Sequence, residues 1–260
     1  MSKIQFYKYQ ATGNDFLLVD NRAGNLSFSN KQISNICDRR FGIGADGIIL
    51  LNNDSDTDFR MVYHNRDGST SFCGNGCRAT VHFANLLGLI EKKATFMAHD
   101  GEHEAEILAD GMIRISLADV HSIEQKTRED FFIHTGTAHH VRFVKDLHSF
   151  PIVEEGRKIR YSELYHPHGT NVNFVELLNS GDVAFRIYER GVEDETYSSG
   201  SGATACALVA AKVHDLPSPI HLTTKGGPLR VDFERPTPEH FSNIHFTGPA
   251  QLVFEVTWKM

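Results

Sequence analysis

Along much of the chain, apolar and polar residues alternate with a period of two. Met112-Ile113-Arg114-Ile115-Ser116-Leu117 puts Ile113, Ile115 and Leu117 on one face, and Val183 to Tyr188 does the same with Val183, Phe185 and Ile187. That period predicts half-buried strands. Two stretches break it. After Gly76, Cys77 to Leu87 reads as a helix closed by Gly88, a typical C-terminal stop. After Gly202, Ala203 to Ala211 is apolar on nearly every side, which predicts a helix buried all round. Many strands and one buried helix in each half point to a sheet curled around a helix. Glycine and proline clusters such as Lys225-Gly226-Gly227-Pro228 mark the turns.

The halves also echo each other in residues. Thr12-Gly13-Asn14-Asp15-Phe16-Leu17-Leu18-Val19 reads as a turn entering a strand, and so does Thr135-Gly136-Thr137-Ala138-His139-His140-Val141. Cys73-Gly74-Asn75-Gly76-Cys77-Arg78-Ala79 resembles Ser199-Gly200-Ser201-Gly202-Ala203-Thr204-Ala205. Both pairs recur at nearly one offset, close to half the chain, as two homologous lobes require. The expected fold is α/β (α+β), with two pseudo-symmetric lobes, each a curled mixed sheet around a central buried helix. The N-terminal lobe is expected over residues 1–118 and the C-terminal lobe over 119–260, with the last strand, near 249–260, packing on the N-terminal lobe. The stretch from Ala118 to Asp130 turns polar and charged, as a boundary should.

Composition narrows the function. The 260 residues are 40% hydrophobic and 23% charged, with a net charge of −7. This is no electrostatic footprint for nucleic acid and no basic face for a membrane. The N-terminal residues carry no signal-peptide core, and no apolar run approaches the roughly 20 residues needed to span a bilayer. A cytoplasmic location is therefore expected. Four cysteines (Cys37, Cys73, Cys77 and Cys206) do not make a disulfide framework in this length. Cys73 and Cys77 have no second pair at zinc-like spacing, so no metal is expected. The 15 histidines are scattered, and His166-Pro167-His168 reads as a surface turn. Phe41-Gly42-Ile43-Gly44-Ala45-Asp46-Gly47 lacks both the dinucleotide-binding spacing and a phosphate-binding lysine.

The two glycine-rich turns carry the candidate chemistry. At a helix start, free backbone N–H groups and the helix dipole together favour an anion, here a carboxylate. The same position makes a cysteine more acidic, so Cys73 is a candidate thiolate base or nucleophile; the plain alternative is a small residue that only packs. Two such turns can share one carboxylate and hold one group on each side of a substrate carbon. That suits stereoinversion, in which a base removes the α-proton and an acid returns another. Glu189-Arg190 offers an arginine for a carboxylate, or merely a solvated pair at a strand end. Asn14, Asn65 and Asn171 each lie where asparagine commonly serves only a turn.

Taken together, several segments resemble the diaminopimelate epimerase family: Gly13-Asn14-Asp15-Phe16, Arg40 to Gly47, Asn65-Arg66-Asp67-Gly68-Ser69, Cys73-Gly74-Asn75-Gly76, Gly169-Thr170-Asn171-Val172-Asn173-Phe174, Glu189-Arg190-Gly191 and Gly248-Pro249-Ala250. The resemblance runs through almost the whole chain. It implies interconversion of LL- and meso-diaminopimelate by two thiols without a cofactor, in a homodimer. By residue match, Cys73 is one catalytic acid or base. Asn14, Asn65, Asn171 and Arg190 hold the substrate; Gly74, Asn75, Gly200 and Ser201 cradle its carboxylate. His139 and Glu189 support the thiols.

The departures are equally specific. Ser199 stands where the family has its second cysteine, Ala138 where proline is frequent, and Thr70 where glutamate is common. The stretch from Asn65 to Cys73 is one residue shorter than in many relatives. A hydroxyl is a far weaker acid than a thiol and a poor proton relay unless strongly activated. Ser199 is compatible with an engineered replacement, a natural variant with altered chemistry, or a degenerate relative. Two other functions stay open: a one-thiol relative acting on another amino acid as epimerase or dehydratase, and a non-catalytic amino-acid-binding protein.

Overall fold

The computed structural model describes residues 3–259, which divide into two compact units. The first holds 3–115 with 248–259, the second 116–247.

In the first unit the chain runs through β1 (Lys3–Ala11), β2 (Asn14–Asp20), α1 (Asn30–Cys37), β3 (Gly47–Asn52), β4 (Phe59–Asn65), α2 (Gly74–Leu86), β5 (Lys93–Ala98), β6 (Gly101–Ile107) and β7 (Ile113–Leu117), across whose end it leaves the unit. In the second come β8 (Ile123–Gln125), β9 (Asp130–His134), β10 (Ala138–Phe143), α3 (Ile152–Arg160), β11 (Asn171–Leu177), β12 (Val183–Glu189), β13 (Asp194–Thr196), α4 (Gly200–His214), β14 (Ile220–Thr224), β15 (Gly227–Thr237) and β16 (His240–Gly248). The last strand, β17 (Gln251–Lys259), pairs antiparallel with β1.

The internal repeat is one of pairing pattern. From β1, the neighbouring pairs β1/β2, β2/β3, β3/β4, β4/β5, β5/β6 and β6/β7 run antiparallel, parallel, antiparallel, parallel, antiparallel, antiparallel. From β9, the pairs β9/β10, β10/β11, β11/β12, β12/β14, β14/β15 and β15/β16 repeat that order. Each parallel step needs a crossover, and in both units a helix supplies it.

In each unit one crossover helix becomes the core. α2 packs against β1, β2, β3, β4, β6 and β17, and α4 against β9, β10, β11, β12, β14 and β15. α4 is closed off from solvent from Gly202 through Ala211, as its unbroken apolar run predicts. Around α2 the core is aromatic, with Tyr9, Phe16, Phe59, Phe83 and Phe96 fully buried, each contributing about 1.5–3 kcal/mol. The other two helices lie on the outside and bury single stripes: Ile33, Ile36 and Cys37 in α1, Ile152, Gly156 and Ile159 in α3. α1 starts with a capping box between Ser29 and Gln32. These segments are short and mostly polar, so a reading that follows alternation and apolar runs passes over them.

Candidate active site

Cys73 and Ser199 occupy the same structural position in their units. Each is the N-cap residue of the central helix, with extended backbone: φ −146° and ψ 103° for Cys73, φ −143° and ψ 130° for Ser199. Each side chain accepts a hydrogen bond from the backbone N–H three residues on. Gly76 N–H donates to Cys73 Sγ at 3.4 Å, and Gly202 N–H to Ser199 Oγ at 3.1 Å. A Cβ at either glycine would crowd its surroundings. At Gly76 it would lie 3.1 Å from Ile49 Cδ1 and from Met61 Cε, and at Gly202 it would lie 2.8 Å from Asn173 Oδ1. The glycines let the helix start close against the sheet, with the Gly76 and Gly202 N–H groups aimed at the caps. Gly74, Asn75 and Gly200 are buried in the first turns of their helices.

The turn that enters β2 or β10 meets the cap in each unit. Gly13 and Gly136 adopt φ of +84° and +87°, which favours glycine. The next residue reaches the helix start. Asn14 Oδ1 accepts from Cys73 Sγ at 3.7 Å and from Asn75 Nδ2 at 3.3 Å. In the second unit Thr137 Oγ1 lies 3.3 Å from Ser201 Oγ, which lies 3.4 Å from Ser199 Oγ. Each contact residue is then held by the element that follows. Asn14 Nδ2 donates to Asp46 Oδ2 at 2.7 Å, just before β3, and Asn171 Nδ2 donates to Thr137 Oγ1 at 3.3 Å, at the start of β11.

The electrostatics of the two turns differ. In the first unit Arg78, inside α2 and fully buried, donates to Asn75 Oδ1 at 2.8 Å and to Thr12 Oγ1 at 3.1 Å. Burial pulls its guanidinium down to about 9, and the thiols of Cys73 and Cys77 push it back up when ionised. It stays a cation near neutral pH. An S⁻ at Cys73 would thus be stabilised by the Gly76 N–H, the helix start and Arg78 together. Of the four cysteines Cys73 alone is not fully buried. Burial pushes Cys37 up to about 12 and raises Cys77 and Cys206 well above the thiol range.

In the second unit the place of Arg78 in the helix is taken by Thr204, which donates back to Gly200 O at 3.0 Å. The ionisable group near the cap is His139, fully buried and pulled down to about 3 by burial, with the charges of His134 and Arg190 adding to the shift. Asn173 Nδ2 donates to His140 O at 2.9 Å and to His139 Nδ1 at 3.1 Å. That places the imidazole proton on Nε2, which lies 3.0 Å from Ser201 Oγ and 2.9 Å from Thr137 Oγ1. Neutral and donating, His139 orients the Ser201 hydroxyl, which in turn touches Ser199.

The remaining predicted residues stand at strand ends. Asn65 ends β4 and donates from Nδ2 to Ser69 Oγ and Ser71 Oγ, both at 3.1 Å. Its counterpart by pairing register is Glu189, at the end of β12, whose Oε2 accepts from Thr196 Oγ1 at 2.8 Å. Arg190 follows, its backbone N–H held by Asn171 Oδ1 at 2.9 Å and its exposed side chain near His168 O. Sequence reasoning assigned no role to Arg78, Asp46, Thr137 or Asn173. The signal was present: Arg78 and Thr137 sit inside the repeated segments, and aligning the repeats pairs Thr137 with Asn14.

The family model for diaminopimelate epimerase matches residues 6–121 and 131–253. The diaminopimelate epimerase of Flavobacterium psychrophilum is 46% identical over 258 residues, 98% of this chain and 100% of the relative. That of Aquifex aeolicus is 35% identical, covering 97% of this chain and 96% of its own. A solved PhzF-family phenazine biosynthesis protein from Bacillus anthracis superposes with a TM-score of 0.77 at 16% identity, both chains covered completely. A hydroxyproline epimerase from Agrobacterium vitis does so with a TM-score of 0.70 at 15% identity, covering 98% and 92%. At those identities the structures share the fold.

Proposed function

The chain belongs to the diaminopimelate epimerase family, and from that premise we propose how its residues interconvert LL- and meso-diaminopimelate. The chain is an isomerase with a small amino-acid substrate. Inversion needs a proton taken from one side of the α-carbon and another returned from the opposite side. Cys73, as thiolate, takes or returns one of them. Ser199 stands where the second thiol is expected. Gly74 and Asn75 in one turn, Gly200 and Ser201 in the other, offer N–H groups to the reacting carboxylate. Asn14, Asn65, Asn171 and Arg190 bind the rest of the substrate. His139 and Glu189 position groups around the turns.

The observation that carries this reading is the matched N-cap position of Cys73 and Ser199. The test is incubation with LL-diaminopimelate, followed by chiral chromatography for the meso form. Turnover of another amino acid with none of diaminopimelate would overturn it. A second reading is favoured by Ser199 itself, whose neighbours supply hydroxyls and a neutral imidazole: this chain exchanges the α-proton of one stereoisomer through Cys73 and inverts it only slowly.

The same reading includes a homodimer and a cytoplasmic setting. Exposed apolar Val253 and Phe254 on β17 support the first, and sedimentation as a monomer at micromolar concentration would refute it. Four free thiols fit a reducing compartment. No helix among the described residues is long and apolar enough to cross a membrane.

A further inference from the structure

Away from the two turns, Asp119, His121 and His240 come together on one outward face of the second unit. The backbone puts them there. Val120 and Phe241 form an isolated antiparallel bridge, with N–H···O bonds of 2.9 and 2.8 Å, and both side chains are buried. Successive side chains of an extended segment point to opposite sides. With Val120 inward, Asp119 and His121 turn outward together, and with Phe241 inward, His240 turns outward beside them. In antiparallel register His240 stands opposite His121.

The side chains follow the backbone. The His121 and His240 rings stack with centroids 4.6 Å apart and an interplanar angle of 30°. His240 Nε2 lies 3.5 Å from Asp119 Oδ2, and one ligand atom from each of the three residues lies within 4.8 Å of the others. His240 Nε2 is also closed off from solvent and makes no hydrogen bond, a costly state for a ring nitrogen. Tetrahedral coordination at about 2.1 Å places ligand atoms about 3.4 Å apart. The pair of Asp119 and His240 already has that spacing, and exposed His121 brings a ring nitrogen within 4.8 Å of both.

We propose that Asp119, His121 and His240 bind a late first-row divalent cation, with Zn²⁺ the best fit. Two imidazole nitrogens and one carboxylate oxygen suit zinc and its neighbours, whereas magnesium and calcium select oxygen ligands. Water completes the coordination. The cation clamps the segment that opens the second unit onto β16, so its role is structural. It shares no residue with the epimerase chemistry and stands or falls independently of it. His240 is far in sequence from Asp119 and His121 and is joined to them by one bridge, so no motif spacing announces the set.

The test uses the full chain without an affinity tag, stripped with chelator and titrated with Zn²⁺ by calorimetry and with Co²⁺ by absorption. The expected result is one equivalent bound, a raised melting temperature, and a cobalt spectrum without an intense sulfur charge-transfer band. His240→Gln and Asp119→Asn each weaken binding by more than about tenfold, since loss of even an outer partner costs about 10–100-fold; Cys73→Ala leaves binding unchanged. The proposal is overturned by full-strength binding in His240→Gln, by loss of binding in Cys73→Ala, or by no heat and no spectral change with either metal.

Discussion

Near the Cys73 cap lies a buried guanidinium; near the Ser199 cap lies a neutral imidazole with its proton already on Nε2. The frame around them is the same: N-cap geometry, a glycine donating to the cap side chain, a left-handed glycine in the facing turn, and a crossover helix held in a curled sheet. The frame suits glycine at both helix starts, because a Cβ at Gly76 or Gly202 would crowd its neighbours. The chemistry mounted on it has diverged. The first turn is arranged to stabilise an anion at its cap. The second surrounds its cap with hydroxyls, and its imidazole donates where a general base would have to accept.

The comparison breaks most directly at position 199. Ser199→Cys is expected to raise net epimerisation by about 10²–10⁴-fold, the usual scale of general acid–base catalysis. Chiral chromatography of both forms measures it. Equal rates would mean that position 199 is not the second proton-transfer group. Before that change, α-deuterium uptake from heavy water should occur with one stereoisomer only and disappear in Cys73→Ala.

Steric demand at the two glycines is the next contrast. Gly202→Ala should destabilise by about 1–3 kcal/mol, the cost of overpacking, because its Cβ meets the fixed Asn173 amide. Gly76→Ala should cost less, since the ends of Ile49 and Met61 can shift. Thermal melts of the two variants give the order, and a reversed order would contradict the packing argument.

Arg78→Met sharpens the electrostatic half of the comparison. Removing the cation should move the pH profile of α-proton exchange upward by about one unit, since a nearby charge shifts a group by about 1–3 units. Thr204→Val, at the matching place in α4, should leave the profile unmoved. A profile indifferent to Arg78 would show that the helix start alone activates Cys73.

The smallest effect is in stability against pH. His139 is pulled down to about 3 in the fold from an ordinary value near 6.5. Its contribution is therefore greatest above pH 6.5 and falls as the pH drops toward 3, because the unfolded chain takes up a proton that the native state refuses. Between pH 7 and pH 6 this amounts to about 0.7 kcal/mol. His139→Gln should flatten that slope in denaturant titrations, and an unchanged slope would assign it to other groups.

Some of this was legible in the residues. Alternation announced β7 and β12, the unbroken apolar run announced α4, and two weak repeats announced two homologous lobes. The Cys73 and Ser199 turns stood out because glycine-rich helix starts depend on neighbours in sequence. α1 and α3 did not stand out, being short and buried on one stripe each. Arg78 was visible only as part of a motif, since nothing local says that a helical arginine will be buried against Thr12.

By itself the sequence determined the alternating strands and the two buried helices, the doubled architecture, the family and the identity of the two caps. These rest on periodicity, glycine spacing and short motifs, which are properties of neighbouring residues. Tertiary structure alone decided that Arg78 is buried as a cation beside one turn, that Asn173 sets the tautomer of His139 beside the other, and that Asp119, His121 and His240 share a face. Charge state, tautomer and ligand geometry depend on burial and on partners from distant segments, and only the folded chain brings those within reach.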